Sequence, residues 1–213
     1  MGSSQIRLCR EVTAFHSRGE RLPVGRQGRL PDGSLAGSPY LVNYLQNHVN
    51  IFLLYLMYVG IGYDIHRFVK DRKLILGGVS FDHPLGLSGH SDADVVLHAI
   101  GDAILGAASL GDIGEHFPDT DDKWKGISSQ ILLDKIMELV REKGLRVNNV
   151  DVVFIAQEPK ISKQKKAMEK RISELLKVEP ERINVKATTN EGLDAIGRSE
   201  AAAAQAVVTL THN

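Results

Sequence analysis

Residues 62–68 read "GYDIHRF". Tyr63, Ile65 and Arg67 fall on one side of an extended chain and Asp64 and His66 on the other, because strand side chains alternate with a period of two. A carboxylate and an imidazole therefore stand side by side. They are either two metal ligands short of a third or the polar face of a half-exposed strand.

Outward from that strand the pattern becomes a fold. "YVGIGYDIHRF" reads as one strand, and "KLILGGVSFD" as two short strands about Gly77 and Gly78, which supply the tight turn. The loop "PLGLSGHSDAD" is rich in glycine and carries His90. An apolar helical pattern then predicts a helix from about Asp92 to Ala108, with Ser91 as N-cap and Asp94 completing a weak capping box. Residues 110–122, "LGDIGEHFPDTDD", are polar and turn-rich.

A second amphipathic helix spans about Ser128 to Lys143 and stops at Gly144. "VDVVFIAQ" is a buried strand, a third helix covers about Ser162 to Lys177, and "RINVKATT" is another strand. In the last segment, "SEAAAAQAVVTL", the alanines favour helix and the β-branched end favours strand. This order predicts an α+β fold with a mixed β-sheet and helices packed on one face.

The chain has 213 residues, enough for one domain with appendages. Its 26 basic and 26 acidic residues cancel, so no global charge draws it to nucleic acid or an anionic membrane. The single cysteine, Cys9, rules out a disulfide within the chain and a Cys-based zinc site, and fits a reducing compartment. The longest apolar run, Ile51 to Val59, has nine residues where a membrane span needs about 20.

Residues 1–56 differ in texture, with six Arg, no Lys, scattered Gly and Pro, and no sustained period. They are expected to be a flexible segment apart from the domain of residues 57–213. An Arg-rich start allows an organellar transit peptide, which Glu11, Glu20 and Asp32 count against. An upstream stretch attached by an early start codon is the simpler reading.

His98 adds to the opening pair. It lies on the first predicted helix with Asp94 and Asp102 four residues to either side, on the same face. A histidine on an apolar helix is more often a satisfied core residue, but here an acceptor one turn away is placed to fix its tautomer. One carboxylate and two imidazoles make an open three-ligand set suited to Zn²⁺, with a position left for substrate. His90, on a Gly-rich loop that reads as mobile, is assigned to substrate instead.

"KATTNEG", Lys186 to Gly192, offers the hydroxyls of Thr188 and Thr189 to phosphate oxygens and Glu191 to a hard cation such as Mg²⁺. An ordinary strand-to-turn join explains the same residues equally well. "AQEPK" ends a strand at Pro159, where free backbone groups can read a base edge, and Arg198 is a candidate phosphate fork. There is no P-loop, and no Gly-x-Gly-x-x-Gly follows any strand.

Taken together, "GYDIHRF", "GHSDADVVLHAIGDAILGAASLGDIGEHFPDTD", "DVVFIAQEPK" and "NVKATTNEGLDAIGR" resemble the 2-C-methyl-D-erythritol 2,4-cyclodiphosphate synthase family of the non-mevalonate isoprenoid pathway. The resemblance runs from about Met57 to Leu210, which makes Met57 a candidate original start. It implies an α/β subunit in a homotrimer around a central apolar channel, with active sites at subunit boundaries and room for an isoprenoid diphosphate in the channel. The implied reaction closes the 2-phosphate of 4-diphosphocytidyl-2-C-methyl-D-erythritol 2-phosphate onto the β-phosphorus and expels CMP. No nucleic acid or membrane is involved.

By matching motif, Asp64, His66 and His98 would hold Zn²⁺, or Mn²⁺ or another divalent ion in its place. Glu191 would hold a second cation, Mg²⁺ or Mn²⁺, at the diphosphate. His90 and Thr189 would position the phosphates, with Ser91 beside His90. Asp112, Ile113 and Gly114 would hold the methylerythritol, next to Phe117, Pro118, Asp119, Thr120 and Asp121. Ala156, Lys160, Ile161 and Ser162, with Ala187, Thr188 and Thr189, would form the cytidine pocket, and Arg198 would contact phosphate.

The resemblance also implies that the last segment is a strand and that the protein works in bacterial cytoplasm, or in plastid stroma if residues 1–56 are a transit peptide. Ala195 stands where some members carry a bulky aromatic, which widens the channel mouth. "GRSEAAAAQA" replaces a stretch that is often Gly-rich. Two other readings of the same residues are a metal-dependent phosphohydrolase and a non-catalytic trimer that binds isoprenoid diphosphates.

Overall fold

A computed structural model describes residues 57–213 and, upstream, only the antiparallel pair β1 (Gly28–Arg29) and β2 (Leu35–Ala36). The chain divides into two compact units, Met1–Leu54 and Tyr55–Asn213. The expected flexibility of the upstream segment, its transit-peptide reading and Cys9 lie outside the described residues.

The second unit contains strands β3 (Tyr58–Val69), β4 (Leu74–Leu76), β5 (Val79–Phe81), β6 (Gly86–Leu87), β7 (Leu145–Ile155), β8 (Ile183–Thr188) and β9 (Ala201–His212). Its helices are α1 (Val95–Ala107), α2 (Ile113–His116), α3 (Ser129–Glu142), α4 (Lys165–Leu176) and α5 (Asp194–Gly197). A five-stranded sheet runs in the order β6-β3-β9-β7-β8. Only β7 and β8 pair in parallel, so the sheet is mixed, as expected. β4 and β5 form a separate hairpin turned by Gly77 and Gly78, both at positive φ.

β9 settles the ambiguous last segment as a central strand between β3 and β7. Its alanines are small enough to lie under a helix. Ala202, Ala204 and Ala206 are fully buried in the same core as Ile100 and Ile104 of α1. Pairing on both edges and burial outweigh the helix propensity of alanine, which is a few tenths of a kcal/mol per residue to about 0.7 at most.

The first helix begins three residues later than predicted, and its cap is Asp94 rather than Ser91. The Asp94 carboxylate accepts from the amides of Val96 and Leu97, each at 3.1 Å, and from the hairpin amides of Gly77 at 2.8 Å and Gly78 at 2.6 Å. Burial pushes this carboxyl up to about 6, against the pull of those backbone donors. The predicted "PLGL" loop contains the two-residue strand β6, which extends the sheet beside the end of β3.

On β3 the alternation is as predicted, but the sides have the opposite partners from a half-exposed strand. Val59, Ile61, Tyr63 and Ile65 point outward and are exposed, while Gly60, Gly62, Asp64 and His66 face α1. A Cβ on Gly60 would stand 2.0 Å from the carbonyl oxygen of Ala103, and one on Gly62 would stand 2.1 Å from that of Ala99. The two glycines let the helix backbone touch the strand, and that contact decides where His98 lies.

Candidate metal centre and ligand cavity

Ala99 touches Gly62, so the preceding helical residue, His98, meets the next inward strand position, Asp64. Asp64 Oδ2 is 2.9 Å from His66 Nε2 and 2.9 Å from His98 Nδ1, and the two ring nitrogens are 3.2 Å apart. Three potential donors thus converge on one point, and among the described residues they are the only such group of three. Those separations are close to the roughly 3.3 Å edge of a tetrahedron with 2.0–2.1 Å metal–ligand bonds. The donor set fits a divalent metal ion.

The charges of the three groups are mutually adjusted. Burial pushes the Asp64 carboxyl up, but hydrogen bonds from His66 and His98 outweigh it and hold the group well below the usual carboxylate range. Burial pushes the His98 imidazole down, but the hydrogen bond and charge of Asp64 outweigh it and leave the ring above its ordinary value.

The group that orients His98 is not Asp94, whose side chain is turned back to cap the helix, nor Asp102. Asp102 accepts the Ile113 amide at 3.2 Å and so fixes the start of α2. Instead His98 Nε2 donates to Ser129 Oγ at 2.8 Å, with Ser91 Oγ at 3.0 Å, and the Ser129 hydroxyl donates in turn to Asp92. This chain engages Nε2 and leaves Nδ1 as the nitrogen facing Asp64 and His66, where it donates to Asp64 in the metal-free protein and would offer its lone pair once that proton is displaced by a metal. Ser129 and Asp92 were missed in the sequence because Ser129 opens α3, 31 residues from His98, and no spacing rule links them.

A cavity of about 360 Å³ lies at the ends of β7 and β8. It gathers Ala156, Lys160, Ile161, Ser162, Ala187, Thr188 and Thr189, all expected together, and adds Phe154, Pro159 and Lys165. Beyond it, Thr189 Oγ1 donates to Glu191 at 2.7 Å on an exposed turn, and Glu191 is not among the converging metal donors. Arg198 is exposed and engages Glu200 through Nε at 2.9 Å and Nη2 at 3.1 Å.

His90 sits on an anchored segment rather than a mobile one: the carbonyls of Gly89, His90 and Ser91 each accept a hydrogen bond from outside it. Its Nε2 is buried and has no hydrogen-bond partner. Asp112 caps α2 by accepting the Glu115 amide at 2.9 Å, with Ile113 and Gly114 following in that turn. Phe117 stacks edge-on against Trp124, and Asp121, held below the usual carboxylate range chiefly by hydrogen bonds from the Lys123 side chain and amide, closes a turn onto Pro118 past Asp119 and Thr120.

Comparison with known proteins extends over this whole unit. A 2-C-methyl-D-erythritol 2,4-cyclodiphosphate synthase of Alkaliphilus metalliredigens is 55% identical over 154 residues, 72% of this chain and 97% of that protein. One from Nostoc is 55% identical over 152 residues, 71% of this chain and 92% of that protein. Among solved structures, a 2C-methyl-D-erythritol-2,4-cyclodiphosphate synthase in its CDP-bound form superposes with a TM-score of 0.66 at 38% identity, over 71% of this chain and 99% of that one. IspF of Plasmodium falciparum in complex with CDP gives 0.65 at 36% identity, over 74% and 97%. The YgbB family profile matches residues 57–211, from the residue before β3 almost to the end of β9, and with the triad and the cavity both inside that span the chain belongs to the YgbB family.

Proposed function

We propose that the protein converts 4-diphosphocytidyl-2-C-methyl-D-erythritol 2-phosphate to 2-C-methyl-D-erythritol 2,4-cyclodiphosphate and CMP, as a lyase of non-mevalonate isoprenoid precursor biosynthesis. The observation that carries this reading is identity above half to synthases of that name over nearly their whole length, with the triad preassembled inside the matched span.

Nucleophile and electrophile belong to one substrate, so the protein has to fold it in line and neutralise charge. A 2-phosphate oxygen forms a bond to the β-phosphorus as the bond from that phosphorus to the α,β-bridging oxygen breaks, and CMP leaves with the electron pair. The attacking phosphate is already anionic, so no general base is required. The cavity bounded by Ala156, Lys160 and Thr188 takes the cytidine diphosphate end, in keeping with the CDP-bound relatives.

His90 and Thr189 donate to phosphoryl oxygens and stabilise the charge that builds there. The buried and unpartnered Nε2 of His90 supports that role. Asp112, Ile113 and Gly114 hold the methylerythritol, flanked by Phe117–Asp121, while Arg198 contacts phosphate. Asp64, His66 and His98 would hold the metal, and two imidazoles with one carboxylate favour Zn²⁺. Glu191 would hold Mg²⁺ or Mn²⁺ at the diphosphate. A divalent ion so bound supplies a Lewis acid that polarises phosphate oxygens.

The outward apolar face of β3, with Ile61 62% exposed and Tyr63 53% exposed, supports assembly as a homotrimer around an apolar channel that admits an isoprenoid diphosphate. Among the described residues no helix is long and apolar enough to cross a membrane, in keeping with a cytoplasmic or stromal setting. Phosphorus NMR of the reaction tests the activity. The expected products are the cyclic diphosphate and CMP in equal amounts. CMP with only linear bisphosphate would make the enzyme a hydrolase.

A further inference from the structure

Segment 88–92 carries His90 past the triad, and its backbone is held from behind by one side chain. Arg72 Nη1 donates to the carbonyl of Gly89 at 2.8 Å and Nη2 donates to that of Ser91 at 2.5 Å, so one guanidinium spans the two peptide groups that bracket His90. The carbonyl of His90 itself accepts from the Gly126 amide at 2.7 Å. The guanidinium is planar and its donors keep a fixed separation, so the bracketing peptides are held at one distance and cannot turn independently.

The base of this clamp is rigid. A Cβ on Gly86 would stand 2.5 Å from the carbonyl oxygen of Arg72 and 2.6 Å from that of Lys73, so the turn bearing Arg72 and the strand that leads into the segment touch backbone to backbone. The Ser88 amide donates to the Arg67 carbonyl at 2.8 Å, which ties the segment to the end of β3. A Cβ on Gly89 would lie 3.2 Å from His66 Cε1. The segment is therefore held by Arg72 while it lies close against a ring of the triad.

His90 Nε2 makes no hydrogen bond, so no partner at that nitrogen fixes the imidazole. We propose that Arg72 is a positioning residue of the reaction: by bridging the carbonyls of Gly89 and Ser91 it aims the His90 imidazole at the phosphoryl oxygens. This rests on the reading of His90 as a phosphate-contacting group.

The test uses the full chain loaded with metal, and compares Arg72→Ala, Arg72→Lys, His90→Gln and the Arg72→Ala/His90→Gln double variant. Arg72→Ala is expected to lower kcat about 10- to 100-fold while KM, CDP affinity and metal content stay within about twofold. Free guanidinium ion should restore part of that loss. Arg72→Lys should recover little, since an ammonium cannot span two carbonyls in a plane. The double variant should be no slower than His90→Gln alone, because both act through one imidazole.

Additive losses overturn the proposal, as does an Arg72→Ala enzyme with wild-type kcat. A loss that tracks metal content or melting temperature and is not rescued by guanidinium overturns it too, by making Arg72 structural. If His90→Gln turns over at the wild-type rate, the reading of His90 fails and the role of Arg72 fails with it. A slow His90→Gln enzyme with additive loss at Arg72 removes Arg72 alone.

Discussion

Asp64, His66 and His98 lie where a strand backbone meets a helix backbone, whereas Thr189, Glu191 and Arg198 stand on a largely exposed stretch beyond β8. The first region is set by packing: Gly60 and Gly62 admit α1, and the ligand atoms end up 2.9–3.2 Å apart as a by-product of the core. The second is set by local bonds. Glu191, Asp194 and Ser199 take positive φ, and Asn190 reaches Asp194 at 2.7 Å. A site assembled by the core inherits its stability, while a turn held by its own side chains can change shape around a ligand. Substitutions in the two regions should therefore separate metal affinity from fold stability in different ways.

The largest effect is expected at His98. His98→Ala removes one of the three proposed ligands, so turnover should fall at least about 1,000-fold and bound metal should drop well below one per subunit while the chain stays folded. Elemental analysis alongside the product assay checks this. Stoichiometric metal in the variant would take His98 out of the ligand set.

Gly62→Ala attacks the same centre without touching a ligand. The new Cβ would meet backbone atoms, at 2.1 Å from the Ala99 oxygen and 2.6 Å from the Ala103 nitrogen, so the helix itself has to retreat. Overpacking of this kind costs about 3 kcal/mol. Because His98 moves with the helix, metal affinity should also fall about 100-fold. Denaturant melts and metal titration measure the two losses separately. Unchanged metal affinity in a destabilised variant would mean that the glycine contact does not set the triad.

How far the site could be read in advance follows the same division. The triad was legible because period-two alternation on β3 and one helical histidine are local patterns, and the family motifs supplied the order of the rest. The strand fate of "AAAAQA" was not legible from propensity, since burial between β3 and β7 decides it. Spacing misassigned the orienting group of His98 to Asp94 or Asp102, because helix capping and two hairpin amides had a stronger claim on the first carboxylate and the Ile113 amide on the second. Ser129, Asp92 and Arg72 act across the fold through contacts that no sequence period encodes.

Ser129→Ala probes a smaller effect. It removes the 2.8 Å acceptor of His98 Nε2 and leaves Ser91 at 3.0 Å, so metal affinity should fall about 10- to 100-fold with little change in fold. The pH profile sharpens this. His98 is raised by Asp64, so in the metal-free protein the pair stabilises the fold below the ordinary imidazole value, and that contribution is lost as pH rises through the raised one. Asp64 is depressed, so its contribution is present above the ordinary carboxylate value and lost only as pH falls through the depressed one. Metal has to displace the His98 proton, so metal affinity should rise with pH across the imidazole range, and the melting-temperature gain on adding metal should grow with it. A pH-independent gain would show that the proton and the metal do not compete for His98.

Gly192→Ala is the counterpart of Gly62→Ala in the exposed region and should have the smallest effect. A Cβ at Gly192 meets nothing within 4 Å, so no packing is lost; the only cost is its φ of +78°, which an L residue adopts reluctantly. That strain amounts to about 1 kcal/mol. The strain falls next to Glu191 in a turn whose bonds are all local, so it should appear as a small shift in the denaturation midpoint with stoichiometric metal at the triad. The two alanine variants are informative only as a pair: each adds one methyl group, one against backbone and one into open space. If Gly192→Ala also emptied the triad, the turn and the metal centre would be energetically one unit, and the division between a core-built half and a locally held half would not stand.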